Sequence, residues 1–217
     1  MLERYRHIVI EGPIGVGKSS LARRLGQHLG VDLMLEQPQA NPFLERFYTD
    51  GGRNAFQTQL FFLFQRLEQM RELAQPGMFS KGVVSDFLFA KDALFAAITL
   101  SPEEYRLYSQ IHAQIAPQVP EPDLVIWLQA APATLLARVR QRGIGMERAI
   151  TTEYLARLCD AYADHFQRYQ GAPTLAVDTE YFNPAGRNAD FDLLLKRLAA
   201  FKGPRELFDP VSDWSLG

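Results

Sequence analysis

Cysteine is almost absent: Cys159 is the only one in 217 residues. A single thiol excludes an intrachain disulfide and a thiolate zinc site. Its place in a helical stretch marks it as a small packing residue. Histidine is scarce too. His7, His28, His112 and His165 are far apart and match no metal-ligand spacing, so they read as structural or surface groups. No apolar run approaches the roughly eighteen residues of a membrane span. The N-terminus lacks the apolar core of a signal peptide. The expectation is a cytoplasmic protein without a membrane partner. Neither sign of charge dominates: 23 Lys and Arg stand against 25 Asp and Glu, a net −2. With no strongly basic stretch, a nucleic-acid polymer is excluded as the main partner. Repeats, low-complexity segments and linkers are also missing, so residues 1–217 are expected to form one domain.

What the chain does have is a loop. Gly12-Pro13-Ile14-Gly15-Val16-Gly17-Lys18-Ser19 follows the apolar run His7–Glu11 and precedes an amphipathic stretch, Ser20–Leu29. Strand, glycine-rich turn and helix together aim backbone N–H groups and a helix N-terminus at one point, which suits a phosphate. Lys18 would reach the β- and γ-phosphates of a nucleoside triphosphate, and the Ser19 hydroxyl would hold Mg²⁺. The residues assigned to the ATP phosphates are Gly12, Gly15, Val16, Gly17, Lys18, Ser19 and Ser20.

Five apolar runs read as strands: 6–11, 31–35, 82–86, 123–128 and 174–177. Helical patterns alternate with them, among them 18–29, 54–74, 87–100, 102–116, 132–142, 152–169 and 188–202. That alternation predicts an α/β fold with a five-stranded parallel sheet flanked by helices. Ligands of such sheets sit at the C-terminal strand ends, where Glu11, Glu36, Asp86 and Asp178 fall. Gln59 and Arg66 are seven residues apart on one helix, so they project from the same face. Arg138 and Arg142, four apart, also share a face. The tail, 203–217, shows no period and is expected to be irregular.

The segments around Glu11–Ser19, Asn41-Pro-Phe-Leu-Glu-Arg-Phe-Tyr48, Phe56-Gln-Thr-Gln59, Val84-Ser-Asp86 and Arg138-Val-Arg-Gln-Arg-Gly143 occur in order. Jointly they resemble the deoxyribonucleoside kinase family, in particular its bacterial deoxyadenosine/deoxyguanosine kinase-like members. The resemblance spans about 8–178. It implies a P-loop kinase fold with a small lid near 142–150. It implies 5′-phosphorylation of a deoxynucleoside, with purine preferred, by ATP and Mg²⁺. It also implies small-molecule partners and a homodimer, with helices 54–74 and 87–100 as interface elements.

The resemblance carries roles to individual positions. Glu36 matches the general base that takes the proton of the 5′-hydroxyl. Gln59 matches the amide that reads the base edge. Arg66 and Asp86 match the pair completing the base pocket. Tyr48 and Glu147 match the pair holding the 3′-hydroxyl. Arg138 and Arg142 match lid arginines on the phosphates. Phe56, Phe61, Phe62 and Phe64 offer stacking for the base, although core packing explains most of them. The chain departs from many animal members, which carry Glu-Arg-Ser before this strand and Asp-Arg-Tyr at its end. Here Ser80-Lys81-Gly82 and Asp86-Phe87-Leu88 stand instead. Lys81 is the candidate replacement for the missing arginine, as a point charge without its fork. Two other readings stay open on the sequence: a thymidylate-type monophosphate kinase, and a non-catalytic nucleotide-binding relative such as the respiratory-complex subunit on this fold.

Overall fold

The computed structural model describes residues 4–73, 75, 81–116 and 119–210. Its strands are β1 (His7–Glu11), β2 (Asp32–Met34), β3 (Val83–Ser85), β4 (Leu124–Gln129), β5 (Thr174–Asp178) and β6 (Arg205–Phe208). They form one six-stranded sheet in the order β2-β3-β1-β4-β5-β6, every pair parallel. Helices cover both faces, which is why Ile8, Val9 and Ile10 are almost fully buried.

The sheet corrects the expectation of five strands and an irregular tail from 203. Arg205–Phe208 pairs in parallel with Thr174–Val177 at the sheet edge. Only Phe208 is fully buried there, against Phe182, while Leu207 is 65% exposed. An edge strand covered on one side lacks the continuous apolar run that marks interior strands. Residues 211–217 of the expected tail lie outside the described residues.

Eight helices are present among the described residues: α1 (Lys18–Leu29), α2 (Leu44–Thr49), α3 (Ala55–Leu73), α4 (Lys91–Thr99), α5 (Pro102–Ile115), α6 (Pro132–Arg142), α7 (Thr152–Arg168) and α8 (Asn188–Ala200). Local chemistry sets their ends. Gly30 caps α1 in the left-handed conformation, at φ 66°. Ser101 and Glu104 form a reciprocal capping box on α5, with Pro102 at its first position. The Thr151 side chain accepts from the Tyr154 N–H and caps α7. The helix expected from Phe87 begins only at Lys91. The preceding turn is held by Leu88, whose N–H donates to the buried Glu11 carboxylate at 2.6 Å.

Cys159 packs against the core, and burial raises its thiol above the ordinary range. No helix among the described residues is long and apolar enough to cross a membrane.

His7 is buried and its Nε2 pairs with the Ser85 hydroxyl at 2.9 Å. Burial pushes the imidazole down to about 4, against an opposing pull from Asp123. Below pH ~6.5 the unfolded chain therefore binds a proton that the native chain refuses until about pH 4. Native stability should fall with pH across that window, by on the order of 3 kcal/mol from this group. Urea unfolding near pH 7.5 and pH 4.5 should show a smaller difference for His7→Leu than for the wild type. An equal difference in the two proteins would remove His7 as the cause.

Candidate active site

β1 delivers Glu11 to the sheet's C-terminal edge, where the chain turns through Gly12–Gly17 into α1. Gly12 takes φ +147° and lies so close to β4 that a Cβ would stand 2.4 Å from the Leu128 carbonyl oxygen. Gly15, at φ +86°, would put a Cβ 2.7 Å from the Leu135 carbonyl oxygen. Both positions thus need glycine for conformation and for space. α1 has no side-chain cap and no acid in its first turn. Its leading N–H groups are left for an anion. Lys18 folds back over the loop and donates to the carbonyls of Gly12 at 2.7 Å and Pro13 at 3.3 Å. Burial and the nearby Lys91 ammonium lower its affinity for its proton. Ser19 donates its hydroxyl to Asp86, and Ser20 is exposed beside it. Val16 sends its side chain into the core, so only its backbone faces the loop.

Beyond the loop lies a chain of alternating charge. Glu36 follows β2, and its Oε1 accepts from Arg66 Nε at 2.8 Å and again from Arg66 Nη2. Lys91 Nζ stands 3.1 Å from the same oxygen and 3.7 Å from Glu11 Oε2. Arg66 Nη1 forms an ion pair with Asp92. Glu11, Arg66, Lys91 and Asp92 are each at most 4% exposed. Burial alone would raise the Glu36 carboxyl, but Arg66, Lys91 and Lys18 outweigh it and hold the group well below the usual carboxylate range. Glu11 is satisfied separately. Its Oε1 accepts from the Gly12 N–H and the Tyr162 hydroxyl, both at 2.8 Å.

Two sequence expectations are corrected here. Asp86 lines the same cavity as Arg66 but does not pair with it. It sits between the Ser19 hydroxyl and the Glu36 N–H, which donates to it at 2.7 Å, and burial raises its carboxyl. Asp92 is the acid that meets Arg66. Lys81 is exposed before β3, at the end of that strand away from Asp86. The lysine beside Glu36 is Lys91. The signal for Lys91 and Asp92 was present, as adjacent opposite charges inside the apolar stretch 87–98.

A cavity of about 520 Å³ joins the loop and the cluster. Gln59 lines it, 3% exposed, and its amide has no protein partner among the described residues. Of the four candidate phenylalanines only Phe62 reaches the cavity, with the Arg66 guanidinium over its ring. Phe47 and Phe95, not anticipated, line it too. Phe56 packs in the core and Phe64 is exposed. At the far side, Gly145–Ala149 forms a single 3-10 turn between α6 and α7. It carries Glu147, which takes Arg142 Nη2 at 2.6 and 2.7 Å. Tyr48 stands by this pair; burial, then Tyr154 and Glu147, push its hydroxyl well above the ordinary range. Arg138 also lines the cavity but is bound to the Thr179 carbonyl and hydroxyl. Asp178, the remaining strand-end acid, accepts the Glu180 N–H at 2.7 Å and takes no part in the cavity wall.

The "Deoxynucleoside kinase" family model matches residues 8–198. The chain belongs to the deoxynucleoside kinase family. It is 36% identical over 175 residues to a deoxyguanosine kinase of Bacillus subtilis, covering 79% of this chain and 84% of that one. It is 31% identical over 185 residues to a deoxyadenosine kinase of Lactobacillus acidophilus, again covering 79% and 84%. A solved deoxyadenosine kinase from M. mycoides, with products dCMP and a flexible dCDP bound, superposes with a TM-score of 0.77. It is 23% identical and covers 90% of this chain and 100% of that one, a likeness of fold. The activity is accordingly ATP-dependent phosphorylation of a deoxynucleoside. The residues present in this kinase also fit Mg²⁺. Ser19 offers a hard oxygen at the loop and Asp86 accepts its proton, with no histidine or cysteine nearby. Mg²⁺ typically takes one or two protein oxygens and completes its shell from phosphates and water.

Proposed function

We propose that this deoxynucleoside kinase makes the 5′-monophosphate of a purine deoxynucleoside. The observation that carries the reading is the state of Glu36. Its Oε1 is taken by Arg66 and Lys91, while Oε2 has no protein partner among the described residues. In the proposed complex Oε2 accepts the proton of the 5′-hydroxyl as that oxygen attacks the γ-phosphorus. The loop amides and Lys18 hold the ATP phosphates. Ser19 would hold Mg²⁺, which when bound would supply positive charge against them. The Gln59 amide reads the base edge with one donor and one acceptor, and Phe62 supplies an apolar wall. Tyr48 and Glu147 hold the 3′-hydroxyl. Arg138 and Arg142 reach the phosphates after leaving Thr179 and Glu147, so segment 142–150 acts as a lid on one domain. A carboxylate at Glu36 repels an acceptor that already carries a phosphate, which favours nucleoside over nucleotide.

The kinases of deoxyguanosine and deoxyadenosine among the relatives support the purine preference. Radiolabelled ATP with a panel of four deoxynucleosides tests it. Deoxyguanosine and deoxyadenosine should give kcat/KM at least about tenfold above deoxycytidine and thymidine, the scale of ~1.4 kcal/mol in discrimination. A pyrimidine at the head of the series would overturn the preference. We further propose a homodimer. Exposed Phe64 on α3 and Leu107 on α5 support a pairing face there, whereas α4 is buried against α3, α5 and α7. Sedimentation equilibrium of the full chain should give twice the monomer mass, and a monomer would refute it.

A further inference from the structure

Lys91 has no place in the reaction as described so far. It opens α4, is 2% exposed, and its ammonium stands on the cavity wall beside two carboxylates, with the Lys18 ammonium nearby. A buried ammonium is costly unless paired, so what it pairs with shows what it serves. Glu11 is one neighbour, at 3.7 Å, yet that carboxylate already accepts from Gly12, Leu88 and Tyr162. It is satisfied without Lys91. Glu36 is the closer neighbour, at 3.1 Å, and the contact is to Oε1 alone.

A carboxylate has two equivalent oxygens and a broad, nearly two-fold terminal torsion. Arg66 holds Oε1 from α3 with two N–H groups that lie in one plane. That leaves a pivot about the shared oxygen. Lys91 reaches the same oxygen from α4, a second element. The next residue, Asp92, holds the far side of the same guanidinium. Glu36, Arg66, Asp92 and Lys91 thus close a ring through the first turn of α4. The ring breaks the symmetry of the carboxylate, since Oε1 is held from two helices and Oε2 has no protein partner among the described residues, on a side chain that lines the cavity.

We propose that Lys91 is a positioning residue that fixes which oxygen of Glu36 meets the nucleoside hydroxyl. This rests on the reading of Glu36 as the base. The contribution is one of orientation: an acceptor held near the attacking oxygen removes a search over carboxylate rotations from the barrier. Lys91 lines the cavity beside Glu36, and the role proposed for it acts through that carboxylate.

The test is a double-mutant cycle on the full chain, read by single-turnover and steady-state kinetics. K91M keeps the length of the side chain and removes its charge. It should lower kcat by about 10²-fold while the KM for deoxyguanosine changes less than about threefold. E36Q/K91M should be no slower than E36Q alone, because an orienting group has nothing left to orient. K91A should regain at least about tenfold in rate with added ethylammonium. A K91M rate within about threefold of wild type would overturn the proposal, as would losses that multiply in the double variant. Should K91M fail to fold, the K91A rescue decides, and no response to ethylammonium overturns the proposal. If E36Q itself retains the wild-type rate, the reading of Glu36 has failed. If E36Q is slow and K91M is fast, only the role of Lys91 has failed.

Discussion

Glu36→Gln should lower kcat by about 10³-fold and leave deoxynucleoside affinity within a few-fold. Glutamine keeps the shape and keeps an oxygen for Arg66, but it cannot take a proton from an attacking hydroxyl. The electrostatics make a second demand. Although burial works against it, Arg66, Lys91 and Lys18 hold the Glu36 carboxyl well below the usual carboxylate range. Glu36 is then ionised across the ordinary carboxylate range. The wild-type profile of kcat/KM should carry no acid limb from Glu36 at the ordinary carboxylate value of about 4 to 5. A base so weak takes its proton late, which suits a loose transition state where the attacking oxygen bears little new bonding. A limb near pH 5 that vanished in the Gln variant would show the opposite, a carboxylate titrating as if in water.

Arg66→Met should destabilise the fold by about 3–5 kcal/mol, the cost of leaving buried charge without its partner. The guanidinium serves Glu36 on one side and Asp92 on the other, and Asp92 is fully buried. Methionine fills much of the volume and replaces neither charge interaction. Urea unfolding should show the loss as a lower midpoint with an unchanged slope. Adding Asp92→Asn should recover a substantial part of it, because the buried anion has gone. Full wild-type stability in Arg66→Met would mean that water or Lys91 already satisfies both acids. Activity should fall in both variants, since the carboxylate of Glu36 loses its main tether.

The donor half of the site was legible because its chemistry is written in consecutive residues. A β-branched run, three glycines, Lys18 and Ser19 dictate strand, turn and helix with little help from the rest of the chain. The acceptor half is assembled from α3, the end of β2 and the start of α4, and its legibility was uneven. The shared face of Gln59 and Arg66 followed from helical spacing, whereas the roles proposed for them came from the resemblance to the family. Asp86 and Lys81 were misplaced for one reason. The stretch 87–100 reads as uniformly helical, yet its first residues form a turn held by the Glu11 carboxylate. That turn moves the charged pair Lys91-Asp92, rather than Asp86, to face Arg66. A hydrogen bond between residues 77 positions apart leaves no local trace in the sequence. β6 escaped for a different reason, since an edge strand with one polar face lacks the buried-strand pattern.

The turn at Gly12–Gly17 was met first as a cradle for phosphate, but its neighbourhood is not cationic. Glu11, Glu36, Asp86, Asp92 and Glu147 balance Lys18, Arg66, Lys91, Arg138 and Arg142, so the site holds no surplus of positive charge before any substrate enters. The two arginines of α6 that line the cavity, Arg138 and Arg142, are engaged with Thr179 and Glu147. A bare triphosphate would therefore meet no net attraction from side chains already paired with one another. Electroneutrality must be completed by what comes in with the nucleotide and by what the lid releases. Affinity for ATP should track the concentration of its magnesium complex rather than that of the free anion. The same pairing gives the site a way to stay idle: with Arg138 held by Thr179 and Arg142 by Glu147, bound nucleotide lacks the charge compensation that transfer to stray water would need.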